Sequence, residues 1–346
     1  MMLDHVPEYL RHTYSLYNRE KKSNIINSCN NPEKVLSIDN QGNCFVCSCD
    51  GWLPISVGHI LDFDSIEEVW QSPVAKELQK DIMIDKNFTH CSVDYCGIKN
   101  YNCVGDDHYI SINIDESCNL QCPTCRDHFM NFTSGKIYED KLLWAEHIKI
   151  LLSKFKEPAQ IVMSGNGDPF ASLIYRPIIL NTIPFSKHRY KIMTNGLLLK
   201  KLLKQTAIYP NITEYSISID AGDAETYEKI RVRGKWSVLI ENLDFLKEEL
   251  SSQPNIFVNL NFCLQQNNVK SLKNFADLTE HYNWTGTVHP LEDWATYKNF
   301  KEHDILDPAH KLHEEMITEL NLIASRKNIN IQSRLNNFIK DSPDRT

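Results

Sequence analysis

The run Ser111-Ile112-Asn113-Ile114-Asp115-Glu116-Ser117-Cys118-Asn119-Leu120-Gln121-Cys122-Pro123-Thr124-Cys125 joins an alternating segment to a cysteine loop. Its first five residues place Ser111, Asn113 and Asp115 on one face of a strand and the isoleucines on the other. The loop then carries three cysteines at C-x3-C-x2-C spacing. Three thiolates so spaced can hold three irons of a [4Fe–4S] cluster. The fourth iron is left without a protein ligand and can chelate a substrate or cofactor. A four-cysteine ferredoxin run, with different spacing, can only carry electrons.

The alternating pattern recurs downstream. Ser216, Ser218 and Asp220 share one parity, and so do Asn259, Asn261, Cys263 and Gln265. Strand patterns fall at 109–115, 160–164, 189–194, 214–220, 255–265 and 286–291. Helical patterns lie between and after them at 139–155, 197–207, 236–250, 270–281 and 309–325. Six strand–helix units predict a parallel sheet, closed or partly closed. A sheet buried on both faces would read as continuous apolar runs. Period-two polar faces under covering helices instead predict a curved sheet around a polar lumen.

A chain of 346 residues, 42% hydrophobic and 24% charged, can bury a sizeable core. Its net charge of −8 argues against a nucleic-acid footprint. No apolar run is long enough to span a bilayer, and the first residues do not read as a signal peptide, so a cytoplasmic protein is expected. Eleven cysteines in such a chain point to metal rather than disulfides. Seven of them lie between Cys29 and Cys103, in a loop-rich segment with one helix pattern at 65–81. Such a segment is expected to need metal in order to fold.

These residues resemble the radical S-adenosylmethionine (SAM) superfamily, in the branch with a SPASM/twitch auxiliary cluster domain. The resemblance covers about residues 25–295 and rests on several motifs in order. It implies a partial (β/α)6 TIM-like barrel at 108–308, preceded by a small, loop-rich, cysteine-rich iron–sulfur domain at 1–107 and followed by a C-terminal helix and tail at 309–346. Cys118, Cys122 and Cys125 would hold the cluster, whose open iron chelates SAM. Met163-Ser164-Gly165-Asn166-Gly167-Asp168-Pro169 is similar to the family's Gly-Gly-Glu-Pro element, which assigns Asn166, Gly167 and Asp168 to the cofactor. Asp168 would accept the methionyl ammonium, with a shorter side chain than the family's Glu. Segment 216–231 resembles the ribose-binding strand and the helix after it. That assigns Ser218 and Asp220 to the ribose and Arg231 to the methionyl carboxylate. Asn195, in Thr194-Asn195-Gly196, and Gln265 complete the implied cofactor contacts.

Cys29, Gly42 and Cys47, then Gly58-His59-Ile60 and Glu68-Val69-Trp70, are similar to elements of a SPASM domain. That implies Cys29, Cys47, Cys91 and Cys96 as ligands of at least one auxiliary [4Fe–4S] cluster, with Cys44, Cys49 and Cys103 as alternates. In the family this module usually follows the barrel, whereas here it precedes it. A structural zinc site is the competing reading, because zinc too takes four cysteines.

Cys263 has lumen parity, one pleat from Gln265. Radical epimerases of this superfamily return a hydrogen atom from a cysteine thiol, and Cys263 is a candidate for that role. The plain alternative is a packed core thiol. The resemblance implies an oxidoreductase that cleaves SAM reductively and abstracts hydrogen from its substrate. The first expectation is a ribosomal peptide, modified by crosslinking, epimerisation or oxidation. A sugar or aminocyclitol dehydrogenase or epimerase is the alternative, and a non-catalytic iron–sulfur or zinc scaffold the remote one. A flavodoxin- or ferredoxin-type electron donor is the implied partner. His289, Glu292, Asp293 and Trp294 are candidate lumen residues near the substrate.

Overall fold

The computed structural model describes residues 2–16, 29–48, 52–91, 107–163, 166–180, 187–293 and 296–339. In chain order the α-helices and strands are α1 (Arg11–Leu16), α2 (Asn31–Lys34), β1 (Val35–Ile38), β2 (Asn43–Phe45), β3 (Gly58–His59), α3 (Ile66–Gln71) and α4 (Pro73–Gln79). Then come β4 (His108–Ile112), α5 (Lys136–Lys154), β5 (Ala159–Met163), α6 (Arg176–Ile179), β6 (Arg189–Thr194), α7 (Leu199–Leu202), β7 (Ile212–Ser218), α8 (Ala224–Ile230) and α9 (Trp236–Leu250). The chain continues through β8 (Phe257–Leu264), α10 (Leu272–Tyr282), β9 (Thr285–Pro290), α11 (His313–Ile323), β10 (Ile329–Ile331) and α12 (Ser333–Asn336).

Ten strands form one sheet in the order β10-β9-β8-β7-β6-β5-β4-β1-β2-β3. From β4 to β9 the strands are parallel and stand in sequence order, each followed by helix, so the expected partial (β/α)6 barrel is present and open. Parallel neighbours need such crossovers, and the helices cover the outer face. On that face Ile110, Ile112, Ile161, Ile192, Ile217, Leu260 and Phe262 are almost fully buried. Helix α9 meets it with Leu239, Leu243, Leu246 and Leu250, at 3.6-residue spacing.

The lumen face is polar, as the alternation predicts. Lys191 and Glu214 pair there at 2.6 Å. Asn261 donates to Ser216 Oγ at 2.7 Å, Asn259 to Asn261 Oδ1 at 2.8 Å, and Thr287 to Asn259 Oδ1 at 2.8 Å. These bonds run across three neighbouring strands, so the lumen side chains satisfy one another before any ligand enters.

Two expectations are corrected. The cysteine-rich segment does lean on a hydrophobic core. Strand β1 lies parallel to β4, with Leu36 opposite Ile110 and Ile38 opposite Ile112, and the β1–β2 hairpin extends the barrel sheet. Leu36, Phe45, Val46, Ile55, Ile60, Val69, Leu78 and Phe88 are each at most 1% exposed and belong to the same apolar cluster as the barrel. The helix pattern at 65–81 breaks into α3 and α4 at Ser72. Pro73 lacks the N–H to continue α3, and Ser72 Oγ caps α4 by accepting Ala75 N at 3.3 Å.

Candidate active site

Strand β4 ends at Ile112 and the chain climbs through Asn113–Ser117 into the cysteine loop. The loop is tied to its surroundings by backbone bonds. Cys118 N reaches Met130 O at 3.0 Å, Gln121 N reaches Val232 O at 3.0 Å, and Cys125 N turns back to Cys122 O at 2.9 Å. Beneath it, Asp168 N donates to Ser117 O at 2.9 Å. This approach is so close that a Cβ on residue 167 would stand 2.5 Å from Ser117 O. Only glycine fits there, which gives Gly167 a steric reason for its place after Asn166.

The three cysteines open onto one cavity. Arg126, Asn166, Gly167, Thr194, Asn195, Ser218 and Arg231 also line it. Five of the eight residues assigned to SAM by resemblance therefore reach its wall: Asn166, Gly167, Asn195, Ser218 and Arg231. The other three stand behind it. Asp168 is 1% exposed, and its carboxylate is filled by Thr194 Oγ1 at 2.7 Å, Asn195 N at 2.8 Å, Phe170 N at 3.0 Å and Ala171 N at 3.3 Å. Burial raises its pKa against those donors. The Asp168 carboxylate thus joins the end of β5 to the end of β6 and fixes the backbone that presents Asn195. Asp220 receives Cys263 N on Oδ1 at 2.8 Å and pairs with Arg231 through Oδ2 at 2.7 Å. Gln265 is 3% exposed and closes a turn with Asn268.

Each cysteine sulfur receives N–H groups. Leu120 N lies 3.4 Å and Asn195 Nδ2 3.7 Å from Cys118 Sγ. An Arg231 Nη lies 3.5 Å from Cys122 Sγ, and an Arg126 Nη 3.3 Å from Cys125 Sγ. Burial, with Asp168 adding to it, pushes the Cys118 thiol up to about 12, and burial raises Cys122 as well. Without a cation these would be neutral thiols, which are weak acceptors. Donors on every sulfur suit thiolates, and metal ligation is what makes thiolates here.

Residues 112–278 match the radical SAM superfamily, and residues 29–97 match an iron–sulfur cluster-binding domain, SPASM. Residues 112–278 are thus a radical SAM domain, and residues 29–97, ahead of it, a SPASM domain. The radical SAM domain takes a [4Fe–4S] cluster and SAM, and the SPASM domain takes auxiliary iron–sulfur clusters. Among solved structures the chain is similar to a radical SAM methyltransferase from Sphaerobacter thermophilus (14% identity, 64% of each chain, TM-score 0.41). It is also similar to SuiB from Streptococcus suis bound to S-adenosylmethionine (16% identity, 77% of this chain and 62% of that one, TM-score 0.42). A third is methylornithine synthase, PylB (13% identity, 64% of this chain and 63% of that one, TM-score 0.38). The chain therefore spans less than two thirds of each of these. No curated protein matches it.

The radical SAM cavity fits its cofactors in donor chemistry. Among the described residues no three His, Cys, Asp or Glu side chains converge on one metal ion. A cluster held by one cysteine per iron asks for no such convergence. Arg231 also offers a buried Nε that has no partner among the described residues. In the SPASM part, Cys29 and Cys91 are half-buried, and Cys47 is buried with Asn31 Nδ2 3.9 Å from its sulfur. Cys44, an alternate ligand, is sealed in the core on β2, where burial raises its thiol far above the ordinary range. Cys49, Cys96, Cys103, Ser164, Gly165 and Trp294 lie outside the described residues.

Cys263 faces the lumen beside His289 in register on β9. Burial first, and then Asp220, raise its thiol well above the ordinary value. Sequence reasoning missed Arg126 and Lys141. Lys141, 7% exposed on α5, donates to Ile114 O at 2.6 Å, Asn40 O at 2.8 Å and Glu116 Oε2 at 2.8 Å. No local pattern marks a lysine that serves the far end of a strand and a hairpin in another part of the chain.

Proposed function

We propose that the protein cleaves SAM reductively at a cluster held by Cys118, Cys122 and Cys125 and abstracts hydrogen from a residue of a peptide. The observation that carries the cofactor reading is the set of N–H donors on all three sulfurs in the cavity wall. Bound there, the cluster and SAM supply a 5′-deoxyadenosyl radical. Asn195 and Ser218, in the cavity wall, would face SAM, and Arg231 Nε, unpartnered among the described residues, would donate to its carboxylate. The peptide reading is supported by the lumen carboxamides and hydroxyls of Ser216, Asn259, Asn261 and Thr287, which pair with one another and would exchange those bonds for the N–H and C=O of a backbone amide. Cys263 is the hydrogen-atom donor that finishes an epimerisation. Its raised pKa keeps the S–H bond that such a donor needs. That bond breaks as the new C–H bond forms, and one electron from a flavodoxin- or ferredoxin-type donor with one proton restores the thiol.

Anaerobic reconstitution tests this reading. Wild type with dithionite is expected to form 5′-deoxyadenosine, faster with a peptide pool than with an aminocyclitol pool. The Cys118/Cys122/Cys125 triple alanine variant is expected to lose about four irons and all cleavage. Stimulation by the aminocyclitols alone would transfer the proposal to small molecules, and iron and cleavage retained by the triple variant would overturn the ligand assignment.

A further inference from the structure

Two guanidinium groups point at the cysteine sulfurs, and their surroundings differ. Arg231 donates to Cys122 Sγ, but Asp220 pairs with it at 2.7 Å, so the pair is close to neutral. Arg126 has no such partner. Its Nη1 donates to Glu116 O at 2.6 Å and its Nη2 to Asn166 O at 2.8 Å and Cys125 Sγ at 3.3 Å. Both oxygens are backbone carbonyls. The Glu116 carboxylate turns away to Lys141 and Asn40. Among the described residues Arg126 pairs with no carboxylate, although it is only 9% exposed.

A buried charge with no counterion is costly. The anion that would balance Arg126 is the thiolate cluster itself. Reducing that cluster adds one negative charge beside a guanidinium whose plane two carbonyls already fix. Hydrogen bonds and net charge around the sulfurs are what set iron–sulfur potentials. We propose that Arg126 is a tuning residue that raises the reduction potential of the cluster held by Cys118, Cys122 and Cys125, with Arg231 contributing less because Asp220 neutralises it. The balance is one electron from the donor onto the cluster, with no bond made or broken at Arg126. This rests on the ligand assignment above, which a separate control tests.

The experiment is an anaerobic redox titration of the reconstituted full chain, followed by electron paramagnetic resonance without SAM. The signal is assigned by its absence from the triple cysteine variant. Arg126→Gln is expected to lower the reduced-to-oxidised ratio about tenfold at a fixed potential, a shift of about 59 mV for one electron. Arg126→Lys, which keeps the charge, is expected to fall between it and wild type, and Arg231→Gln to shift less than Arg126→Gln. An unchanged midpoint in Arg126→Gln with full iron content would overturn the proposal. Loss of iron from both Arg126 variants would also overturn it, because Arg126 would then be a strut of the loop. Because the auxiliary clusters keep their own signal, a triple cysteine variant that loses no component of the wild-type spectrum would sink the ligand assignment instead.

Discussion

Asp220 adopts a left-handed backbone, φ +57°, which a residue other than glycine adopts at a cost of about 1–3 kcal/mol. Its contacts hold it there: Cys263 N and Arg231 on the carboxylate, and Asn268 Nδ2 on its carbonyl oxygen at 2.9 Å. The strained turn thus lies between the cluster side of the lumen, through Arg231, and the thiol of Cys263. Asn268 Nδ2 also reaches Cys263 O at 2.8 Å, which fixes this thiol's backbone from both sides. A role for Cys263 in returning hydrogen makes a specific forecast. Cys263→Ala should keep 5′-deoxyadenosine formation near wild type and lose peptide product. Wild-type product made in D2O should carry deuterium from the exchangeable S–H, as read by mass spectrometry. Full product from the alanine variant would leave Cys263 a packing residue. Parity alone placed Cys263 on the lumen face. The strain at Asp220 was not legible, because two of the three contacts that hold it come from residues more than forty positions away.

At the level of elements, the alternating and helical patterns of 109–325 were legible because each strand buries an apolar face under a helix and turns a polar one to the lumen. Strand β6 and helix α9 fall at the bounds their patterns predict. The short β1, β2 and β3 were not legible, since two to four residues carry too little periodicity. Their attachment depends on Lys141, which no pattern flags. From α5 this side chain joins the β1–β2 turn, through Asn40 O, to the chain just beyond β4, through Ile114 O and Glu116. Lys141→Met keeps the stem and removes the donor, leaving two carbonyls and a carboxylate short of a partner. Glu116 is 22% exposed, so water recovers part of that loss and the low end of the buried-pair range applies, about 3 kcal/mol. Urea denaturation with an unchanged slope should show it as a lower midpoint. A loss below about 1 kcal/mol would reduce the tie to an ordinary surface pair.

For the whole molecule, the continuity of sheet and core decides how the cysteine-rich segment depends on metal. Composition suggested a segment that only metal could fold, because cysteine-rich, loop-rich stretches of that length lack a core of their own. The structure lends it the barrel's core. Val35, Leu36 and Ile38 are at most 1% exposed, β1 pairs with β4 over four residues, and Trp70 Nε1 donates to Val35 O at 2.9 Å. Apolar burial of this kind persists when iron is removed, whereas a metal-nucleated domain unfolds with chelation. Protein stripped of iron by an anaerobic chelator should therefore keep the β1–β4 pairing. Hydrogen exchange should then show the amides of Val35–Ile38 opening together with those of His108–Ile112, with protection factors within about tenfold, or about 1.4 kcal/mol. Exchange of β1 orders of magnitude faster than β4 in the iron-free protein would show that clusters, not the shared core, hold the amino-terminal hairpin on the barrel.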